Sequence, residues 1–345
     1  MIKASYKRHI LHFKQASGTS RGVLKTKETW LLFLEQGNAR GIGECGLFRG
    51  LSYDDKPHYE DRLNWVCQNI HLGVDVLMSQ LHEFPSIQIG VEMSFKSLES
   101  HDKFELFPSD FTKKEAPIPI NGLIWMGSQD FMQRQIHDKI NSGFSCIKMK
   151  IGAIDFDAEM ELIKAIRKEF TPNDIEIRVD ANGAFKPDEA LEKLKILSDF
   201  DLHSIEQPIK QGQIDDMAEL CEKTPLPIAL DEELIGVIDV TEKAKLLQTI
   251  KPQYIILKPS LVGGFSGSDA WISLAEKEKI GWWVTSALES NIGLNAIAQY
   301  TYTKVSNMPQ GLGTGGLFTN NFECPLRVAQ GQLTYKNNLN WIFNL

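Results

Sequence analysis

From Ile118 onward, short apolar runs rich in Val and Ile alternate with amphipathic segments at a period of about 25–30 residues. The pairs are IPINGLIW then DFMQRQIHDKINSG, CIKMKI then DFDAEMELIKAIRKEF, IEIRVDA then KPDEALEKLKILSDF, and SIEQP then DDMAELCEKT. PIALDE, YIILKPS and WWVTSAL follow, each with its own helical stretch, and the series ends at GLGTGG. The runs lack strict alternation, as parallel strands buried on both faces do. Repeated strand–helix units of this period predict a (β/α)7β-type TIM barrel within an α/β chain. A doubly wound open sheet would more often carry a Gly-rich phosphate loop after its first strand, and none is present.

The 345 residues exceed a barrel of about 250 and leave room for an accessory unit. Residues 1–115 read as an α+β capping domain, 116–320 as the barrel, and 321–345 as a segment returning to the capping domain. IKASYKRHILHF and ETWLLFLEQG are strand-like, and Gly37, Asn38 and Gly41 supply a turn before GIGECG. LSYDDKPHYEDRLNWVCQNI and IGVEMSFKSLES have helical spacing. GIGECG and LFRGLSYDD are expected to form a loop over the barrel mouth, with Arg49 and Tyr53 as its candidate contacts or, more simply, as surface residues.

Three acids fall at the ends of consecutive apolar runs: Asp180 in EIRVDANGAF, Glu206 in HSIEQPI and Asp231 in PIALDEEL. In barrels of this kind the working groups sit at the C-terminal strand ends. Three carboxylates converging there repel one another, and a divalent ion neutralises them; an all-oxygen set suits Mg2+, with Mn2+ as the alternative. Lys148 and Lys150 flank Met149 and so share one face of their strand. The helix-facing side would bury two unpartnered ammonium groups, so the lumen beside the acids is expected. Lys258 follows three aliphatics in YIILKPS about four strands away, which places an amine on each side of a bound substrate. Such lysines can move protons next to a metal; a Schiff-base role for Lys258 would leave the acids unexplained. Ser286 and Glu289, after the seventh run, are candidate substrate contacts or supports for them. The tryptophans, Trp282-Trp283 among them, read as packing.

Other classes are disfavoured. The net charge of −8 and the lack of a basic stripe argue against nucleic acid. The apolar runs are too short for a membrane helix, and the charged N-terminus lacks a signal-peptide core. Five scattered cysteines without a CxxC read as reduced thiols in a cytoplasmic protein. The histidines show no metal-ligand spacing such as HExxH. The sequence sets no oligomeric state.

KMK, VDAN, IEQP, LDE and LKPSLVGG, in that order, resemble the enolase superfamily in its muconate-lactonising subgroup, across essentially the whole chain. Such sites use a lysine or histidine base with magnesium stabilising an ene-diolate. Within the subgroup, PINGLIW, the R-x-D of Arg178 and Asp180, TSALESNIGL and GLGTGGLF are similar to the o-succinylbenzoate synthase family of menaquinone biosynthesis. The dipeptide epimerases typically carry an acidic D-x-D where this chain has GLGTGG. The resemblance implies a small-molecule carboxylate substrate, Lys150 as the base and acid of a dehydration, and Lys258 as a cationic stabiliser. It also implies a metal on Asp180, Glu206 and Asp231, and substrate contacts from Lys148, Arg178 and Asn182. The alternative within the superfamily is racemisation or epimerisation of an N-acylamino acid or dipeptide, with both lysines as bases.

Overall fold

The computed structural model describes residues 1–19, 22–152, 154–304 and 306–343. Strands β1 (Lys3–Thr19), β2 (Gly22–Gln36) and β3 (Ala39–Cys45) form an antiparallel sheet, with the β2–β3 turn at Gly37 and Asn38 as expected. Helices Tyr59–Gln68 and Pro85–Glu99 pack on it around Trp30, Leu32, Leu63 and Ile87. The first helix is shorter than its sequence pattern suggested, because residues 46–58 run as turns before it begins.

The repeats from 118 onward build one parallel sheet. Its strands are β5 (Gly122–Ile124), β6 (Cys146–Lys150), β7 (Glu176–Asp180) and β8 (Ser204–Glu206), then β9 (Ile228–Leu230), β10 (Tyr254–Leu257) and β11 (Gly281–Val284), in strict chain order. Each strand is followed by a helix of 10–14 residues, such as Phe156–Glu169 and Asn291–Tyr302, with a short helix Pro259–Val262 intervening after β10. Ile147, Met149, Ile177 and Val179 face those helices and are fully buried in the main apolar cluster. The opposite faces of the same strands turn inward.

Two expectations change here. The run IPINGLIW is not one strand: β4 (Ile118–Pro119) pairs with the C-terminal hairpin β12 (Leu326–Ala329) and β13 (Gln332–Tyr335), and only residues 122–124 join the parallel sheet. The stretch GLGTGG forms no eighth strand. Gln310 and Gly311 instead make single bridges to Ile120 and Thr285, next to the two edges of the curled sheet. Thr285 Oγ1 lies 2.0 Å from where a Gly311 Cβ would stand, so only glycine lets the chain pass there. The C-terminal segment stacks Trp341 on Phe104, centroids 4.1 Å apart, and Phe343 against Phe33, both partners belonging to the first 115 residues.

Among the described residues no helix is long and apolar enough to cross a membrane. All five cysteines are free thiols.

Candidate active site

Parallel register places the acids side by side. Lys150 pairs with Asp180 and Asp180 with Glu206 across β6, β7 and β8, while Asp231 directly follows β9 and Lys258 directly follows β10. Paired residues of parallel neighbours share a face, so all five point inward at the C-terminal strand ends.

The acids and amines interlock. Lys150 Nζ donates to Asp180 Oδ2 at 2.9 Å and to Asn182 Oδ1 at 2.6 Å. Lys148 Nζ bridges Asp180, at 2.9 Å, and Glu206. Lys258 Nζ bonds Asp231 and stands 4.0 Å from Glu206 Oε1. Lys150 and Lys258 therefore lie on opposite sides of the acid row, as their strand spacing implied. All three lysine side chains are less than 15% exposed.

Burial disfavours charge on each group, and neighbours decide the outcome. For Lys148, burial is outweighed by Asp180, Glu206 and Asp231, which hold the ammonium above its usual value. Lys258 is raised likewise, against burial, by Asp231 and Glu206. Asp180 stays low despite its burial, because Lys148 and Lys150 both face it. Glu206 is pushed up to about 8, first by burial and then by the adjacent Asp180. Asp231 is raised, again with burial as the leading cause.

The trio does not enclose a point by itself. Among the described residues no three His, Cys, Asp or Glu side chains are arranged to hold a metal ion, because the ammonium groups of Lys148 and Lys258 stand between the acids. The donor set nonetheless fits a hard divalent cation. Glu206 Oε1 is buried, accepts no hydrogen bond among the described residues, and sits between two other carboxylates.

A cavity of about 130 Å³ opens over this row, lined on its polar side by Lys148, Lys150, Asp180, Asn182, Lys258 and Ser286. Phe48, Leu51, Trp125, Leu288 and Leu317 form its apolar wall. Phe48 and Leu51 come from the LFRGL segment, which does reach the cavity. GIGEC, by contrast, lies inside β3 and not in a mouth loop. Arg49 is engaged with Glu28 and Asp55.

Two expected substrate contacts lie elsewhere. Arg178 shares a face with Asp180 but sits two residues deeper, 1% exposed. Its guanidinium is 4.3 Å from the Trp283 ring centroid and donates to Glu176 and to Pro309 O. It forms the floor beneath the acids and is not among the cavity's lining residues. Glu289 is fully buried; its carboxylate accepts from Ser260 Oγ at 2.5 Å and from Ala287 N at 2.7 Å, and it too does not line the cavity.

Sequence reasoning also passed over three residues. Gln207, with φ +40°, accepts from the Asp231 and Glu233 amides and donates to Glu233, tying two strand ends together. Glu232 accepts from Asn182 Nδ2 at 3.0 Å. Its place directly after Asp231 was the available signal. Lys139 lines the cavity with its Nζ 5.0 Å from the Phe144 centroid, and among the described residues it makes no hydrogen bond or ion pair. It lies on a helix, where no strand-end argument could find it.

Comparison with known proteins agrees with this geometry. Residues 132–337 match the family described as enolase C-terminal domain-like. The chain is 46% identical to an o-succinylbenzoate synthase of Desulfotalea psychrophila, over 96% of this chain and 98% of that one. The crystal structure of MenC from Desulfotalea psychrophila LSv54 superposes with a TM-score of 0.86 at 42% identity, covering 96% and 99% of the two chains. A dipeptide epimerase from Enterococcus faecalis, complexed with Mg and a dipeptide, gives a TM-score of 0.82 at 17% identity over 96% of each chain, a likeness of fold alone. With its strand-end acids, its paired lysines and these matches, the chain belongs to the enolase superfamily.

Proposed function

We propose that this protein is a magnesium-dependent dehydratase converting a succinyl-hydroxycyclohexadiene carboxylate to o-succinylbenzoate; its 46% identical relative is named o-succinylbenzoate synthase. The observation that carries the reading is the placement of Lys150 and Lys258 on opposite sides of the Asp180–Glu206–Asp231 row. A closed (β/α)7β barrel is supported by the bridges of Gln310 and Gly311 to Ile120 and Thr285. The division at 1–115, 116–320 and 321–345, and a cytoplasmic location, belong to the same proposal.

Asp180, Glu206 and Asp231 would hold Mg2+, or Mn2+ in its place, which supplies positive charge where the substrate carboxylate gathers electron density. Lys150, as the base, takes the proton alpha to that carboxylate. The C–H electron pair shifts into the ring, the C–O bond breaks on the same face, and the Lys150 ammonium returns its proton so that water leaves. Lys258 stays protonated on the far side and stabilises the developing anion. Lys148, held charged by three acids, offers the carboxylate a second cation. Asn182 and Ser286 line the substrate's path. The Lys139 ammonium, without a hydrogen bond or ion pair among the described residues, suits the second carboxylate of a succinyl-bearing substrate.

The test is ultraviolet loss of the cyclohexadiene carboxylate with Mg2+ and with EDTA, run beside N-succinylamino acids and dipeptides in D2O. Metal-dependent loss of the diene supports the dehydratase. Deuterium entering both enantiomers of an amino-acid substrate, without diene turnover, replaces it with a racemase or epimerase.

A further inference from the structure

The GIGEC run, residues 41–45, belongs to β3, and its alternation has two clients. Gly41 and Gly43 face the helix Pro85–Glu99 at backbone contact; a Cβ on Gly43 would stand 2.0 Å from Gly90 O. Period-2 geometry turns Ile42 and Glu44 to the other side, toward the barrel. Ile42 clusters there with Ile292 and Phe322.

Glu44 is fully buried and all its bonds leave its own strand. It accepts from Thr29 Oγ1 at 2.8 Å, Ser290 N at 2.8 Å, Ser290 Oγ at 2.5 Å and Gly293 N at 2.8 Å. Ser290 is also the N-cap of the helix Asn291–Tyr302, so a carboxylate from the first unit sits at the positive end of a barrel helix. Directly before it come Ser286, Ala287 and Leu288, which line the cavity, with Leu288 held at φ +62°. Glu289 then ties Ala287 N to Ser260. Lys27, 6% exposed on β2, has an Nζ that makes no hydrogen bond among the described residues, and burial pushes its pKa down against the nearby charges of Glu44 and Glu289. Packing at this junction has no slack: a Cβ on Gly46 would meet Ser260 Oγ at 2.9 Å and Glu289 Cγ at 3.1 Å.

We propose that Glu44 is a positioning residue through which the first unit fixes residues 286–290, and so the wall of the substrate cavity. The proposal rests on reading that cavity as the substrate site.

Glu44→Gln keeps the shape but loses one acceptor for the Ser290 and Gly293 donors. A lost charge-assisted bond of this kind corresponds to a rise in KM of about tenfold or more, with kcat within about threefold. Amide hydrogen exchange across 286–294 should quicken about tenfold, while 176–182 keeps its protection. Gly46→Ala, which presses on Ser260 and Glu289 without touching a charge, should shift KM in the same direction and guards against a folding defect in the first variant. An unchanged KM in folded Glu44→Gln, or wild-type exchange over 286–294, overturns the proposal. Should the wild type fail to consume the diene, the functional reading falls alone, and the exchange measurement still decides the role of Glu44.

Discussion

Exchanging Lys150 for methionine removes one ammonium from a cluster in which its carboxylate partner has a replacement. Asp180 keeps Lys148 at 2.9 Å, while Asn182 loses the donor to its Oδ1 and keeps only the bond from its Nδ2 to Glu232 at 3.0 Å. The stability cost is then that of one charge-assisted bond without an orphaned carboxylate, about 1.5–3 kcal/mol at most, and Tm should fall by only a few degrees. Activity should suffer far more. General acid–base catalysis contributes roughly 10²–10⁴, and here one amine both takes the proton and returns it, so the upper end of that range is expected. Lys258→Met is the contrast. Among the described residues its Nζ is the only cation hydrogen-bonded to Asp231, and stripping a buried ion of its partner costs about 3–5 kcal/mol. Diene-loss kinetics at saturating Mg2+ and thermal melts of both variants supply the comparison. The reasoning fails if Lys150→Met retains activity within about tenfold of wild type, or if it melts as early as Lys258→Met.

Mg2+ should raise the melting temperature of the wild type through ligand linkage, and Glu206→Gln should abolish most of that rise, read by calorimetry without substrate. Arg178→Met should leave KM nearly unchanged among folded molecules but cost about 1.5–3 kcal/mol in urea unfolding, since Pro309 O and Glu176 lose the guanidinium while Glu176 keeps Cys146 Sγ as a donor. Lys139→Met should raise KM for the succinyl-bearing substrate by about tenfold with kcat held, the signature of lost uniform binding. Asp54 offers a pH test away from the site. It is fully buried, Ser86 donates twice to its Oδ2, and its Oδ1 accepts no hydrogen bond among the described residues. Burial pushes its pKa up to about 6 from 3.8. The folded state thus binds the proton more tightly than the unfolded chain, a contribution fully present below about pH 4 and lost as pH rises through 6. Two units correspond to about 3 kcal/mol. Asp54→Asn should be the more stable protein at pH 7.5, by up to that amount, with the gain vanishing near pH 4; equal differences in urea midpoint at both pH values would refute the assignment.

The strand–helix period, the inward face of Lys148 and Lys150, and the alignment of Asp180, Glu206 and Asp231 were all legible in the sequence. Each follows from a local rule: period 2 along a strand, and function at strand ends. Register between neighbouring strands then converted a one-dimensional spacing into contact. What the chain order could not reveal were distances set by packing across the fold. Arg178 obeys the same alternation as Asp180, yet two residues back along β7 it is covered by Trp283 of β11, a neighbour its own segment does not announce. Glu289 carries a site-like motif but turns away to Ser260 and Ala287, since residues 286–290 bend where Leu288 takes a left-handed conformation. Glu44 and Lys139 become meaningful only once distant segments meet, 246 residues apart for Glu44 and Ser290. Local propensity determined the elements and the facing of their side chains. Tertiary packing decided which of those side chains reach the cavity, because burial and hydrogen-bond satisfaction are settled by neighbours that sequence separation does not specify.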